Sequence, residues 1–171
     1  MKNQILVFGA SAFLLLSVMA GSTGCKKSNS TASNSTTATI QTSATTAGAA
    51  FSSNSAGGLY YTATKSFDLA SAQIKSGDSL IMDLTFPDTL AVNKSYPLGG
   101  SQEGPNLEYI DWKTQDWFAT SWSEVSGSMT ITSLDKNAHN VQGNFNAILW
   151  KAGGDSIIVS NGKFNVNYQV Q

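Results

Sequence analysis

The chain contains no arginine, and its 10 basic residues are all lysines. Arginine makes the bidentate contacts with guanine and phosphate on which much of nucleic-acid recognition depends. The lysines are balanced by 11 acidic residues, which leaves a formal net charge of −1 and no strong positive field. We therefore expect no nucleic-acid partner.

Histidine and cysteine occur once each, as His139 and Cys25. Zinc sites require several His or Cys ligands, and triad-type catalysis requires a histidine beside a nucleophile. His139 lies in the polar segment KNAHN, which is typical of a solvated turn, and no G-x-S-x-G, Walker A or dinucleotide-binding motif occurs. We expect no metal, no cofactor and no enzymatic activity, although a calcium site of scattered carboxylates stays open.

The chain begins with the order of a secretory signal. Lys2 precedes a largely apolar run over residues 5–20, and small residues follow. That run is shorter than the roughly 20 residues that a membrane-spanning helix needs. We predict a signal peptide over residues 1–24, with a cut after Ala20 as the alternative.

Cys25 ends the tetrapeptide STGC, which resembles the lipobox of bacterial lipoproteins except that Ser22 stands where a large aliphatic residue is usual. The resemblance implies that the Cys25 thiol is acylated and anchors the chain in a membrane. A lone cysteine in an exported chain has no disulfide partner, and acylation consumes the reactive thiol. We predict a lipoprotein of a Gram-negative outer membrane, on its periplasmic or its surface face. The alternative is an incidental exposed cysteine.

The segment after Cys25 is nearly devoid of large apolar residues. From Ser28 to Gly58 only Ile40, Gln41 and Phe51 fall outside the set Ser, Thr, Ala, Asn and Gly. Such a segment buries too little apolar surface to offset the entropy of ordering it. We predict a disordered linker over residues 25–58 and a single domain over residues 59–171.

Residues 59–171 alternate between apolar and polar side chains, as in SLIMDLTF (79–86), GSMTITSL (127–134), NVQGNFNAILW (140–150) and KFNVNYQV (163–170). This period indicates half-buried antiparallel strands. Asn161-Gly162 predicts a hairpin, and KSGD (75–78), LDKNAHN (134–140) and KAGGD (151–155) predict further turns. The expected fold is an all-β sandwich or partly closed barrel of eight to ten antiparallel strands.

Three of these pieces, SGSMTITSLD, VQGNFNA and IIVSNGKFNVNYQV, resemble the C-terminal half of a domain-of-unknown-function family of Bacteroidota cell-envelope lipoproteins. The resemblance implies an antiparallel β domain with a closing NGKF hairpin in the cell envelope. The family has no assigned activity, so the resemblance implies no catalytic residue.

Three of the four tryptophans lie in LEYIDWKTQDWFATSW (107–122). With KTQD as a four-residue loop, Trp112 would face Trp117 on an exposed face that also carries Glu108, while Leu107, Tyr109 and Phe118 would face the core. Exposed aromatic rings beside a carboxylate are typical of sugar and peptide sites. Trp112, Trp117 and Glu108 are therefore the predicted ligand-binding residues. The alternative is that the tryptophan pair only stabilises the hairpin or packs under a loop.

Three Asp-Ser/Thr-aliphatic triplets, at residues 78–80, 88–90 and 155–157, resemble O-glycosylation sites of Bacteroidota envelope proteins. Ordinary turn chemistry before a strand explains them equally well.

Together these features favour a non-catalytic, lipid-anchored module that binds a glycan or an envelope protein. One alternative is a polysaccharide hydrolase with paired carboxylates, drawn from the acidic residues near the tryptophans; these are Glu103, Glu108, Asp111, Asp116 and Glu124. Another is a barrel that carries an apolar ligand inside.

Overall fold

The structure is a computed structural model, and it describes residues 34–42, 48–101, 103–120 and 124–171. These residues form eleven strands and contain no helix, hence none that could cross a membrane. The all-β prediction is confirmed, with one strand more than expected. The strands are β1 Ser35–Thr42, β2 Ala49–Ser52, β3 Ser55–Tyr61, β4 Ser66–Lys75, β5 Asp78–Pro87, β6 Ser95–Gly99, β7 Asn106–Asp111, β8 Asp116–Ala119, β9 Val125–Asp135, β10 Asn140–Trp150 and β11 Ser156–Val170.

The strands pair in the order β2-β1-β11-β3-β4-β5-β7-β8-β10-β9-β6, and an additional pairing joins β10 to β11. This pairing closes a ring of seven strands: β3, β4, β5, β7, β8, β10 and β11. The shortest pairing in the ring is that of β8 with β10, which consists of one residue pair, Ala119 with Trp150. All pairings are antiparallel except that of β3 with β11, so the sheet is a partly closed one of mixed but mostly antiparallel type.

The core lies between β3–β4–β5–β7–β8 on one side and β1–β11–β10–β9 on the other. Alternate residues of each strand point into it, as the period of two predicted. Leu69, Leu107 and Tyr109 from the first group meet Val141 and Phe164 from the second in one buried cluster. Apolar side chains of the described residues therefore fill the space between the two groups of strands.

The predicted linker is wrong for residues 34–42 and 48–58, because β1, β2 and the start of β3 lie there. Ile40 and Phe51, the two large apolar residues of this segment, are both buried in the core. β1 pairs with β11 along most of its length, so backbone hydrogen bonds and two apolar anchors compensate for a polar composition. The remainder of the predicted linker, like the predicted signal peptide and Cys25, lies outside the described residues.

The hairpin predicted at Asn161-Gly162 is also wrong, because β11 runs through both residues without turning. Between the pairs Phe145–Gly162 and Ala147–Val159, β11 has one residue more than β10. This is a β-bulge, and Asn161 adopts a φ of 54° within it. Asn161 thus uses the left-handed conformation that the sequence suggested, but uses it to bend a strand. The turns at KSGD, LDKNAHN and KAGGD are confirmed.

Candidate functional site

The β7–β8 hairpin carries the predicted ligand-binding residues, but its loop begins one residue earlier than expected, which moves the cross-strand partner of Trp117 by two residues. The loop is Trp112–Gln115, so Trp117 lies opposite Ile110 and Glu108 lies opposite Ala119. The Asp111 carboxylate accepts hydrogen bonds from the Lys113 and Thr114 amides, which begins the turn one residue early.

Trp112 and Trp117 are both exposed, as predicted, at 38% and 41%. The two rings are not a cross-strand pair, because Trp112 lies in the loop and Trp117 lies on β8. Glu108 and Trp117 do lie on the same face, and the Trp117 indole N–H donates a hydrogen bond to the Glu108 carboxylate. The structure therefore brings together two of the three predicted residues.

Glu108 is half-buried, and burial raises its pKa to about 7. Hydrogen bonds from the Asn106 side chain, with Nδ2 3.2 Å from Oε1, and from Trp117 favour the ionised form and lower the pKa, but desolvation outweighs them. The charge of Asp68 raises the pKa further. Glu108 thus changes charge near neutral pH.

Two further carboxyl groups lie beside Glu108 and were missed by the sequence analysis. Asp83 on β5 is directly opposite Glu108, and Asp68 on β4 is within hydrogen-bonding reach of Asp83. Both aspartates are buried, and burial raises the pKa of each, most strongly that of Asp83. One oxygen of each carboxyl group, Oδ1, has no hydrogen-bond partner. Burial and the proximity of the two carboxyl groups therefore oppose the ionisation of both at once.

A signal for these two residues was present in the sequence. Asp68 in SFDLASA and Asp83 in SLIMDLTF each interrupt a stretch that is otherwise rich in apolar residues. Acidic residues are almost never buried without a partner. Two such interruptions on consecutive strands indicate a shared carboxyl cluster.

The opposite side of the molecule carries a polar face across five adjacent strands. Thr37 of β1, Lys163 of β11, Asn144 of β10, Thr130 of β9 and Ser95 of β6 are successive cross-strand partners. At about 4.8 Å per strand, this row spans about 19 Å. Among the described residues, none of the side-chain polar groups of Lys163, Asn144 and Thr130 has a hydrogen-bond or ion-pair partner.

Two hollows flank this row, and Asn144 and Lys163 line both of them. The larger, here called the amide groove, has a volume of about 600 Å³ and is lined by Ser128, Thr130, Asn144, Phe145, Asn146, Asn161, Gly162 and Lys163. The smaller has a volume of about 300 Å³ and extends toward Ser35 and Thr37 on β1. The bulge at Asn161 bends β11 at the edge of the larger hollow.

Other predicted features have definite places. His139 lies exposed in the β9–β10 turn, as predicted, with its ring 5.3 Å from that of Tyr168. In the Asp-Ser/Thr-aliphatic triplets, Thr89 and Ser156 are exposed, whereas Ser79 is half-buried in β5. No group of three or more His, Cys, Asp and Glu side chains in the described part of the chain is placed to hold a metal ion.

Comparison with protein-family models, with curated proteins and with solved structures found no match to this chain.

Proposed function

We propose that this chain is a lipid-anchored binding module of the bacterial cell envelope and that its ligand is a glycan. The amide groove is the observation that carries this proposal. Its volume lies within the usual range for ligand sites, about 300–1,000 Å³.

The chemistry of the groove suits a ligand rich in hydroxyl groups. Each asparagine offers two donors and an acceptor, and each serine or threonine hydroxyl offers both functions. Sugar hydroxyl groups need donors and acceptors in this mixture. The side chains of Asn144 and Asn161 have no hydrogen-bond partner among the described residues. A ligand would therefore replace only their hydrogen bonds to water.

The polar character of this face favours a glycan over an envelope protein. Stable protein interfaces bury about 800 Å² per partner around an apolar centre. The outward side chains that line the groove are instead amides, hydroxyls and one lysine, and the exposed apolar pair Ile148–Ile158 lies outside the groove lining.

The membrane part of the proposal is supported by the sequence alone. Acylation of Cys25 after removal of residues 1–24 would place the domain at the outer membrane, with the domain joined to the anchor by the residues before β1. Mass spectrometry of the protein purified from its host tests this step. A free Cys25 thiol, or a chain that begins at Gly21, would refute it.

Glycan-array binding by the full chain in detergent tests the ligand. The Asn144→Ala/Asn161→Ala variant is expected to lose binding, and Trp117→Ala, on the opposite side of the molecule, is expected to retain it. Loss of binding in Trp117→Ala with retention in the groove variant would transfer the site to the β7–β8 hairpin. No binding by the unmodified chain to any glycan would reject the function.

The carboxyl cluster favours a second candidate, a polysaccharide hydrolase. Asp83 and Glu108 are cross-strand partners, and such pairs have Cβ atoms about 4.5–5.5 Å apart. Glycoside hydrolysis uses two carboxyl groups that are close together and differ in protonation. Release of reducing sugar from polysaccharides, abolished in Asp83→Asn and in Glu108→Gln, would support this candidate. Release that both variants retain would reject it.

A further inference from the structure

Lys163 is the one charged residue that lines the two hollows of the polar face. The other residues that line them are neutral, and no aspartate or glutamate is among them. The Lys163 side chain is exposed and, among the described residues, the ion pairs involve only Lys151, with Asp116 and Asp155. The groove therefore presents a positive charge that nothing in its walls neutralises.

The position of Lys163 makes this charge central. It lies between Thr37 and Asn144 in the row of cross-strand partners, and it lines both the amide groove and the smaller hollow. A ligand that extends across the row from either side passes the ammonium group. The neighbouring amides would at the same time bind its uncharged hydroxyl groups.

We propose that the groove selects glycans that carry a carboxylate, such as uronic acid chains, over neutral glycans. This inference rests on the proposed glycan-binding function and specifies its ligand. Charge complementarity supports it. A single unpaired cation among neutral hydrogen-bonding groups favours a ligand that carries a negative charge among uncharged hydroxyl groups. The absence of acidic residues from the walls removes the repulsion that would oppose such a ligand.

The expected preference is modest, because exposed ion pairs contribute little in water. A preference of about two- to fivefold in Kd corresponds to one such pair. It should fall with added salt, since the interaction is screened over about 3 Å at 1 M ionic strength. The hydrogen bonds to neutral hydroxyl groups should be much less sensitive to salt.

The test compares each uronic acid glycan on an array with its carboxyl-reduced counterpart, using the full chain in detergent. Oligogalacturonate and the galactose oligomer obtained from it by reduction form one such pair. We expect tighter binding of the acidic member, loss of that preference in Lys163→Gln and in 1 M salt, and its retention in Lys163→Arg. Lys113→Gln, in the β7–β8 loop, is the matched control and should keep the preference.

The outcomes separate the two proposals. Equal binding of both members of each pair, or a preference that survives in Lys163→Gln, overturns the selectivity while leaving the glycan-binding function standing. Binding of neither member of any pair, together with no binding to any other glycan, overturns both. Binding only to neutral glycans overturns the selectivity alone.

Discussion

Replacing Glu108 with glutamine removes one ionisable group from the carboxyl cluster and keeps its shape. Glutamine retains an oxygen that accepts the hydrogen bond from Asn106 Nδ2 or from the Trp117 indole. What changes is the negative charge that Glu108 acquires near Asp83 and Asp68 as the pH rises. The variant therefore isolates the cost of ionising Glu108 in the folded protein.

The magnitude follows from the pKa of Glu108, which burial raises from an ordinary value of 4.5 to about 7. One pKa unit is equivalent to about 1.4 kcal/mol, so ionising Glu108 costs the folded state about 3 kcal/mol. A raised pKa means that the folded state binds the proton more tightly than the unfolded state does. The stabilisation is thus fully present below about pH 4.5 and is lost as the pH rises through about 7.

Urea unfolding of the full chain in detergent, followed by tryptophan fluorescence at several pH values, measures this effect. Near pH 4.5 we expect the Glu108→Gln variant and the unmodified protein to have similar free energies of unfolding. Near pH 8.5 the variant should be more stable by about 3 kcal/mol. Glu103→Gln, at an exposed position, is the matched control for the loss of one glutamate, and the effect of Glu108→Gln is compared with it.

Two results would refute the reasoning. A difference between Glu108→Gln and the unmodified protein that is the same at every pH would show that packing, and not ionisation, is responsible. A variant that is less stable near pH 8.5 would show that the Glu108 carboxylate stabilises the fold.

Three further substitutions test the packing, the bulge and an ion pair. Gly143→Ala should lower the free energy of unfolding in urea by about 1–3 kcal/mol, since the added Cβ would overlap the Phe164 ring. Gly104→Ala is the control, because its Cβ has room and should change the stability little. Equal effects of the two substitutions would contradict this account. In thermal unfolding, Asn161→Gly should be tolerated and Asn161→Val should cost about 1–2 kcal/mol, because only the valine is strained at positive φ; a stable valine variant would argue against the bulge geometry. Lys151→Gln should lower the unfolding midpoint slightly at low salt and not at all at high salt, because the Lys151–Asp116 pair, at 3.1 Å, is partly exposed; a loss that persists in salt would indicate a packing role.

Alternation predicted the strands of residues 59–171 well because most of them bury one face, although β4 and β5 are buried on both faces over residues 67–73 and 81–84. In β10 every second residue from Val141 to Leu149 is buried, as the pattern requires. The pattern failed for β1, where Thr36 and Ala38 occupy inward positions that a hydrophobicity criterion ignores. β1 depends on its pairing with β11, and a partner so distant along the chain leaves no local signal.

Turn chemistry was ambiguous for a physical reason. A residue that tolerates positive φ suits a hairpin and a bulge equally, and Asn161 could supply either. The bulge forms here because β10 pairs with both halves of β11, and that pairing requires β11 to be a continuous strand. Similarly, the hydrogen bond that the Asp111 carboxylate accepts makes the β7–β8 loop begin one residue earlier than expected. Trp117 therefore pairs with Ile110 and not with the expected Trp112.

The candidate sites also differ in how far they could be predicted from the sequence. Glu108 and Trp117 could be placed on one face from their spacing in a single hairpin. The amide groove could not, because it combines residues from β9, β10 and β11 around a bulge whose location depends on the pairing. The carboxyl cluster joins three strands and required the register of β4 with β5.

The dependence of β1, β3 and β10 on β11 also decides when folding can be completed. The Asn34 side chain accepts a hydrogen bond from the Asn167 amide, 133 residues later. During synthesis the first strands leave the ribosome long before Ser156–Val170 exists to pair with them, and contacts of such long range form slowly. A cell that makes this domain must therefore protect the incomplete chain from aggregation, or carry it across a membrane, before the final strand arrives.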